Sequence, residues 1–255
     1  MLSQNIKKDI IESILGKTPE KKKSRVPARL DLLQSITGLV LAIFIMFHLI
    51  FEASILLGED AMNSVTKFFE GEPFIEGGTP IFVSILAFII FAIFILHAFL
   101  AIRKFPSSYR EYLRFRTHAK LMNHEDTNLW FIQITTGFML FFLGSIHLYI
   151  VLTQPQNIGA YESSYRVYSE LFWPLYLMLL VSVLLHAGAG IYRLIVKWGV
   201  FDGKNPKESR AKSKKIIKIV TLLYLLMGLF SLLAYIKIGY KYHQKDLAKR
   251  VKHEN

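Results

Sequence analysis

The sequence contains no cysteine among its 255 residues. This absence excludes disulfide bonds, iron–sulfur clusters held by thiolates, and haem attached covalently through a Cys-x-x-Cys-His segment. Any metal chemistry must therefore come from histidine, methionine or carboxylate side chains, or from bound cofactors. Residues 1–30 are polar and basic and lack the apolar core of a cleavable signal peptide, so we expect none.

Charge is scarce and unevenly placed. Only 20% of the residues are charged, whereas 53% are hydrophobic, and the hydrophobic residues cluster in five runs that contain almost no charge. A helix needs about 20 apolar residues to cross a bilayer, and each run is long enough. The runs are Leu32–Leu57, Pro80–Ile102, Leu129–Leu152, Leu171–Val196 and Ile216–Ile236.

These runs predict an all-α membrane protein with five transmembrane helices, of which four form a bundle and the fifth is peripheral. We divide the chain into an N-terminal segment 1–31, a membrane domain 32–236 and a C-terminal tail 237–255. Within the first segment, Ile6–Leu15 has the pattern of a short amphipathic helix.

Basic residues alternate between the two ends of the spans. Lys and Arg number eight in residues 1–30, six in 103–126 and eight in 193–215, but one each in 58–79 and 154–169. Cytoplasmic loops carry such an excess of Lys and Arg. We therefore expect a multi-pass membrane protein with its N-terminus and the two basic loops in the cytoplasm.

The net charge of +12 is explained by this asymmetry rather than by a nucleic-acid partner. One segment departs from the pattern. Six Lys or Arg residues follow Ile236, although five spans place that tail outside. A short tail behind the last span is a weak determinant of topology, so the predicted orientation stands.

Four of the eight histidines lie inside predicted spans, one in each of the first four: His48, His97, His147 and His186. The others, His118, His124, His243 and His253, lie in basic loops or the tail. An ionisable residue inside a membrane usually faces the bundle interior and serves a function. A neutral imidazole bonded across a helix interface would explain one such residue more readily than four.

The spans also echo one another. In the first span, Gln34-Ser-Ile-Thr-Gly38 is followed ten residues later by His48, and in the third, Gln133-Ile-Thr-Thr-Gly137 is followed ten residues later by His147. The second and fourth spans share Leu-His-Ala around their histidines. The echoes indicate a duplicated helical hairpin.

Depth pairs the same histidines. At about 1.5 Å per residue, His48 and His147 lie roughly 24 and 26 Å from the inner ends of their helices, whereas His97 and His186 lie roughly 8 and 10–15 Å from theirs. Two pairs at two depths match bis-histidine ligation of two b haems, with one ligand from each of two facing helices. Four histidines on one zinc or copper ion would need a common depth.

Other polar residues near the ends of the spans are candidates to contact such haems. Haem propionates are anionic, and the inner candidates for binding them are Gln34, Ser35, Trp130 and Lys197, whereas Arg166 is the outer candidate. Interfacial anchoring is the alternative role for Trp130. Two haems across a membrane need an electron donor outside, for which a quinol is suitable, and Glu70 is a candidate general base for its protons. A solvated loop carboxylate is the alternative for Glu70.

Several segments resemble the five-helix, di-haem cytochrome b subunit of menaquinol:fumarate reductases and related succinate dehydrogenases, over nearly the whole chain. They are LDLLQSITG at 30–38, AFLAIRKFP at 98–106, SIHLY at 145–149, TQPQ at 153–156 and IYRL at 191–194.

The resemblance implies that His97 and His186 ligate the proximal haem and His48 and His147 the distal haem. It also implies the same propionate contacts, and Glu70, in Lys67-Phe-Phe-Glu70, as the quinol-site glutamate. The implied partners are an FAD-containing flavoprotein and an iron–sulfur subunit, the implied substrate is menaquinol, and two such heterotrimers can form a dimer.

One departure from the family is informative. Similar proteins carry a glutamate two residues before the fourth ligand, thought to pass protons across the membrane, where this chain has Leu184. Glu52 instead lies one turn after His48. We hypothesise that this proton route is absent or uses Glu52; the alternative places Glu52 at the outer interface.

Three other hypotheses remain at this stage. The chain is a transporter with a histidine proton relay, an anchor that has lost its haem, or a different di-haem cytochrome b, such as a hydrogenase or dehydrogenase anchor. The transporter hypothesis predicts broken helices or inverted repeats, whereas the echoes here are parallel. The segments that resemble the fumarate reductase family favour that family over the last hypothesis, a different di-haem cytochrome b.

Overall fold

The computed structural model describes residues 24–106, 108–122 and 125–254. In this part of the chain the regular structure is helical, without strands, and five helices are long and apolar enough to cross a membrane. The prediction of an all-α membrane protein with five spans is confirmed. The predicted helix at Ile6–Leu15 lies outside the described residues. The helices are α1 (Val26–Glu52), α2 (Glu59–Phe69), α3 (Ile81–Ile102), α4 (Tyr109–Met122), α5 (Glu125–Thr153), α6 (Ala160–Tyr168), α7 (Trp173–Trp198) and α8 (Pro206–Glu254), with short 3-10 helices at Ala53–Leu57 and Pro155–Asn157.

The membrane helices are α1, α3, α5, α7 and α8. Along the bundle α1 packs on α3, α3 on α5, and α5 on α7, while α8 packs on α7 and on the outer half of α1. Their outward faces are apolar and exposed, as at Phe47, Phe88 and Leu223, which are 57%, 61% and 60% exposed. Exposed apolar surface on this scale suits contact with lipid.

Proline and glycine mark the helix boundaries. Pro27 and Pro174 lie in the first turns of α1 and α7, where a missing N–H costs no helical hydrogen bond. Gly199 ends α7 in the left-handed conformation, with φ of 61°. The helices extend beyond the predicted apolar runs, since α1 begins at Val26 rather than Leu32.

Two short helices cover one end of the bundle, which we call the outer end after the predicted orientation. The opposite end is the inner end. Both α2 and α6 are amphipathic, and they meet where the Asn63 side-chain oxygen accepts a 2.9 Å hydrogen bond from the Ala160 amide. Their apolar faces join the end of α1 and the middle of α8 in a buried core. Its members are Ile55, Met62, Ala160, Val167 and Tyr235.

The predicted tail 237–255 continues α8 as helix as far as Glu254. The 49 residues of α8 span about 74 Å, more than twice the roughly 30 Å hydrocarbon core. Its outer extension packs on α2 and α6, where the Tyr242 hydroxyl donates to Glu59 over 2.5 Å. Tyr161 meets the Tyr242 ring at 4.7 Å between ring centres, and Tyr168 meets Tyr240 at 5.6 Å.

Candidate functional site

A cavity of about 1240 Å³ runs along the inside of the bundle. The four histidines of the first four membrane helices all line it. Asp31 and Lys197 lie at its inner end, and Arg166 and Tyr235 at its outer end. The membrane helices therefore enclose one long internal space whose conspicuous polar groups are imidazoles.

The structure brings the histidines together in the two predicted pairs. Ring centres of His48 and His147 are 6.0 Å apart, and those of His97 and His186 are 6.4 Å apart. An imidazole nitrogen lies about 2 Å from a bound transition metal and roughly 1 Å from its own ring centre, so two rings on one ion have centres about 6 Å apart. Both pairs have this spacing. Among the described residues no three His, Asp or Glu side chains gather around a common point.

The inner histidine of α3 is held by α1. The Nδ1 atom of His97 lies 3.1 Å from the Thr37 hydroxyl, and the ring also hydrogen-bonds the backbone of Gln34. Gly38 lies against the ring so closely that a Cβ there would be 2.8 Å from its Cε1 atom.

The inner histidine of α7 is held by α5 in the same way. Nδ1–H of His186 donates to the Gln133 carbonyl at 2.9 Å and lies 3.4 Å from the Thr136 hydroxyl. A Cβ at Gly137 would be 2.8 Å from the Cε1 atom of this ring. Because a carbonyl only accepts, the hydrogen bond leaves the Nε2 lone pair of His186 free to bind a metal.

The sequence echo Gln-x-x-Thr-Gly is therefore a clamp for the inner histidine of the neighbouring helix. Gly38 and Gly137 make room for the imidazoles of His97 and His186. Gly144, Gly188 and Gly190 face Phe94, Thr221 and Gln133, where they allow close helix packing.

The outer pair has aromatic neighbours instead. Phe44 stacks on His48 with ring centres 5.4 Å apart, and Tyr176 meets His147 edge-on at 5.8 Å. Nδ1 of His147 is buried without a hydrogen-bond partner among the described residues. Arg166 is 7% exposed, donates to the Asn157 carbonyl over 2.7 Å, and hydrogen-bonds Tyr176.

The inner end of the cavity carries a polar network. Lys197 donates to the Ser35 hydroxyl over 2.7 Å and forms an ion pair with Asp31, which also pairs with Lys104. On the other side Arg193 donates to the Gln133 side-chain oxygen over 2.5 Å.

The remaining predicted inner contacts lie beside this network. Gln34 and Trp130 line the same end of the cavity, and the side-chain oxygen of Gln34 is buried without a partner in the described part of the chain. Phe115 of α4 packs on Trp130 at 4.3 Å between ring centres. All five residues predicted to contact propionates thus line the cavity. Four of them lie at its inner end, and Arg166 lies at its outer end.

Three residues at the inner end of the cavity were not predicted from the sequence: Asp31, Lys104 and Arg193. Lys104 follows His97 by seven residues, and Arg193 follows His186 by seven. Seven residues are about two helical turns, so each cation lies on the same face as its histidine. This spacing could have predicted Lys104 and Arg193 from the sequence. No sequence pattern predicts the role of Asp31, because its partners Lys104 and Lys197 are distant in the chain.

Glu70 lies beside the cavity and does not line it. It is 6% exposed at the C-terminal end of α2 and accepts a hydrogen bond from the Lys67 ammonium over 2.7 Å. This hydrogen bond, with the charge attraction of Glu70, raises the pKa of Lys67 above its ordinary value. The Lys67 ammonium therefore stays charged until the pH rises through that raised pKa.

Glu52 lines the cavity and accepts a 3.0 Å hydrogen bond from the Tyr235 hydroxyl. Leu184 is buried, at 7% exposure, and does not line the cavity.

With this geometry in place, comparison with known proteins is decisive. Residues 110–227 match the family described as succinate dehydrogenase/fumarate reductase transmembrane subunit. A protein of Wolinella succinogenes named fumarate reductase cytochrome b subunit is 55% identical over 230 residues, which cover 90% of both chains. A Helicobacter pylori protein of the same name is 47% identical over 231 residues, covering 91% of this chain and 89% of its own.

The chain belongs to the family of fumarate reductase cytochrome b subunits. Membership makes it the membrane-spanning part of an oxidoreductase complex, associated with catalytic subunits, and implies haem b. The residues present fit that cofactor, because both imidazole pairs have the spacing of two ligands on one ion. The Gln34 side-chain oxygen and the His147 Nδ1 atom, which have no hydrogen-bond partner among the described residues, belong to residues that line the same cavity.

Proposed function

We propose that this chain carries electrons from menaquinol, oxidised near the outer face, through two b haems to an iron–sulfur subunit and a flavoprotein that reduces fumarate. The observation that supports this proposal is that four imidazoles line one cavity and form two pairs at two depths. A bound haem supplies one-electron chemistry, and two within one bundle connect the membrane faces.

The residues of the chain would hold and orient the haems. His97 and His186 would ligate the inner haem, with their rings fixed by the Thr-Gly clamps, and His48 and His147 the outer one. Lys197, Ser35, Gln34 and Trp130 would receive the inner propionates, and Arg166 an outer one. Lys197 is now paired with Asp31, so binding a propionate redistributes the charge partners of that ammonium.

At the outer end, Glu70 would accept a quinol proton. The carboxyl is buried and held in place by its hydrogen bond from Lys67, and a positioned carboxylate can act as a general base. In the proposed orientation the N-terminus is cytoplasmic in a bacterial inner membrane, the FAD and iron–sulfur clusters reside in partner subunits, and two heterotrimers form a dimer.

Spectroscopy tests the haem assignment. The purified complex should show two b haems per chain in a reduced-minus-oxidised spectrum with pyridine haemochrome quantification. His48→Ala and His97→Ala should each reduce the content to about one, because each removes one ligand of a different pair. His243→Gln, in the outer extension of α8, is the matched control and should retain both. A full haem complement in either alanine variant contradicts the assignment.

Activity with two electron donors tests Glu70. Glu70→Gln should lower fumarate reduction by menaquinol analogues at least tenfold, because the amide accepts no proton. Reduction by a viologen dye that bypasses the quinol should be unchanged. Glu76→Gln, an exposed carboxyl of the same loop, should leave both activities intact. Equal loss with both donors would point to a structural defect instead.

A further inference from the structure

The carboxyl of Glu52 differs from the other two acidic side chains near the cavity. Asp31 pairs with two lysines, and Glu70 pairs with Lys67. Among the residues that the structure describes, no Lys or Arg nitrogen lies within ion-pair distance of Glu52, and its hydrogen-bond partner is the Tyr235 hydroxyl. A half-buried carboxyl without a cation is sensitive to any charge that appears nearby.

Packed protein side chains surround the Glu52 carboxyl. Tyr235 is 5% exposed, and its hydroxyl also lies 3.3 Å from the Met62 sulfur. The other titratable or charged groups around the carboxyl are the Tyr176 phenol and the Arg166 guanidinium. That guanidinium donates to the Asn157 carbonyl and hydrogen-bonds Tyr176, and among the described residues it forms no ion pair with Glu52.

Glu52 is also close to both the outer histidine pair and the outer surface. It follows His48 by four residues on the same helix, so the two side chains lie on one face about 5–6 Å apart at Cβ. It is the last residue of α1, and the 3-10 helix behind it ends at Leu57, which is 84% exposed. Glu52 therefore lies five residues from the end of its candidate membrane span at Leu57.

We propose that Glu52 is a redox-linked proton-binding site, which takes up one proton when the outer haem gains an electron and releases it when that electron moves inward. Tyr235 is its positioning residue. The inference rests on the proposed function, with His48 and His147 as ligands. The electron comes from the quinol, the proton comes from the quinol or the outer aqueous phase, and the carboxylate becomes a carboxylic acid.

The physical reason is electrostatic. An electron added to the outer haem places negative charge in a low-dielectric interior, where charge interactions are strong. The added charge favours the neutral form of Glu52, and protonation of Glu52 reciprocally favours the electron. The reduction potential of the outer haem must therefore fall as the pH rises.

Potentiometric titration of the purified complex at several pH values tests the proposal. Complete coupling of one proton to one electron gives about 59 mV per pH unit. In the wild-type protein we expect a substantial fraction of that slope for the outer haem, identified as the component lost in His48→Ala. In Glu52→Gln, whose amide oxygen still accepts from Tyr235, more than half of the slope should disappear. The inner haem should be unchanged.

Glu72→Gln is the matched control, because it removes the same charge from an exposed position on the outer side. It should behave like the wild type. An unchanged slope in Glu52→Gln with both haems bound overturns the proposal and leaves the proposed function intact. Absence of haem from the wild-type complex would instead overturn the proposed function.

Infrared difference spectroscopy of the wild-type complex gives a second, independent readout. Reduction should produce a carboxylic-acid C=O band that moves in ²H₂O and shifts in Tyr235→Phe, because the phenol no longer donates to it. A wild-type spectrum without this band overturns the proposal even if Glu52→Gln fails to assemble.

Discussion

The inner and outer histidines are held by different kinds of contact. Each inner ring has a hydrogen bond to a backbone group and lies against a glycine, whereas the outer rings are flanked by aromatic side chains. A hydrogen bond to Nδ1 fixes both the tautomer and the orientation of a ligating imidazole. The polypeptide alone therefore fixes the orientation of the two inner imidazoles.

Gly137→Ala should disrupt that preparation. The added methyl group would lie 2.8 Å from the His186 ring, so the ring must leave its hydrogen bond to Gln133. We expect haem content to fall toward one per chain, measured by pyridine haemochrome. Gly144→Ala on the same helix is the control: its methyl group meets the Phe94 ring edge at 3.3 Å, and both haems should remain. Full haem content in Gly137→Ala would contradict the clamp.

At the scale of elements, α8 combines two roles along one helix. Its central part faces lipid and α7, while its outer extension packs on the short helices α2 and α6. Gly239 marks the crossing with α6, where a Cβ would collide with the Ser164 carbonyl oxygen and lie 2.6 Å from the Tyr168 Cβ. The backbones of the two helices are thus in close contact.

Gly239→Ala should destabilise the outer end. Overpacking of a rigid contact costs about 1–3 kcal/mol, and this contact is with backbone that cannot rotate away. The thermal unfolding midpoint of the detergent-solubilised complex, followed by intrinsic fluorescence, should fall by several degrees. Lys241→Ala, exposed on the same extension, should leave the midpoint unchanged. Equal midpoints for the two variants would show that the crossing is not tight.

The membrane helices and the positions of the histidines could be predicted because both depend on local patterns. Apolar run length determines a span, and a fixed spacing along a helix determines depth. The helical extension of α8 could not be predicted from apolarity, since it carries Lys237, Lys241 and Lys245 on its exposed face. Likewise, the inward direction of Glu52 depends on Tyr235, a partner 183 residues away.

At the scale of the whole molecule, the charge pattern predicts one orientation and the basic end of α8 opposes it. Because this chain has no cysteine, a single introduced cysteine is the only thiol in the chain, and its labelling reports the side of the membrane directly. Ser108, Glu72 and Gln244 are all exposed and lie in an inner loop, an outer loop and the extension of α8.

Labelling of single-cysteine variants with a membrane-impermeant maleimide in intact cells tests the orientation. Glu72→Cys and Gln244→Cys should react from outside, whereas Ser108→Cys should react only after the membrane is opened. Four membrane helices separate Glu72 from Gln244, so a five-span topology requires these two positions to lie on the same side of the membrane. Reaction of Ser108→Cys in intact cells would reverse the orientation and place Glu70 and Glu52 on the inner side.

The two histidine clamps each lie within one hairpin, α1 with α3 and α5 with α7. The metal-binding pairs do the opposite, since His48 faces His147 and His97 faces His186, from one hairpin to the other. Each clamp can therefore form within its own hairpin, whereas the two histidine pairs form only when the hairpins come together. A variant chain cut between the hairpins should thus keep the contacts of each clamp and lose both pairs.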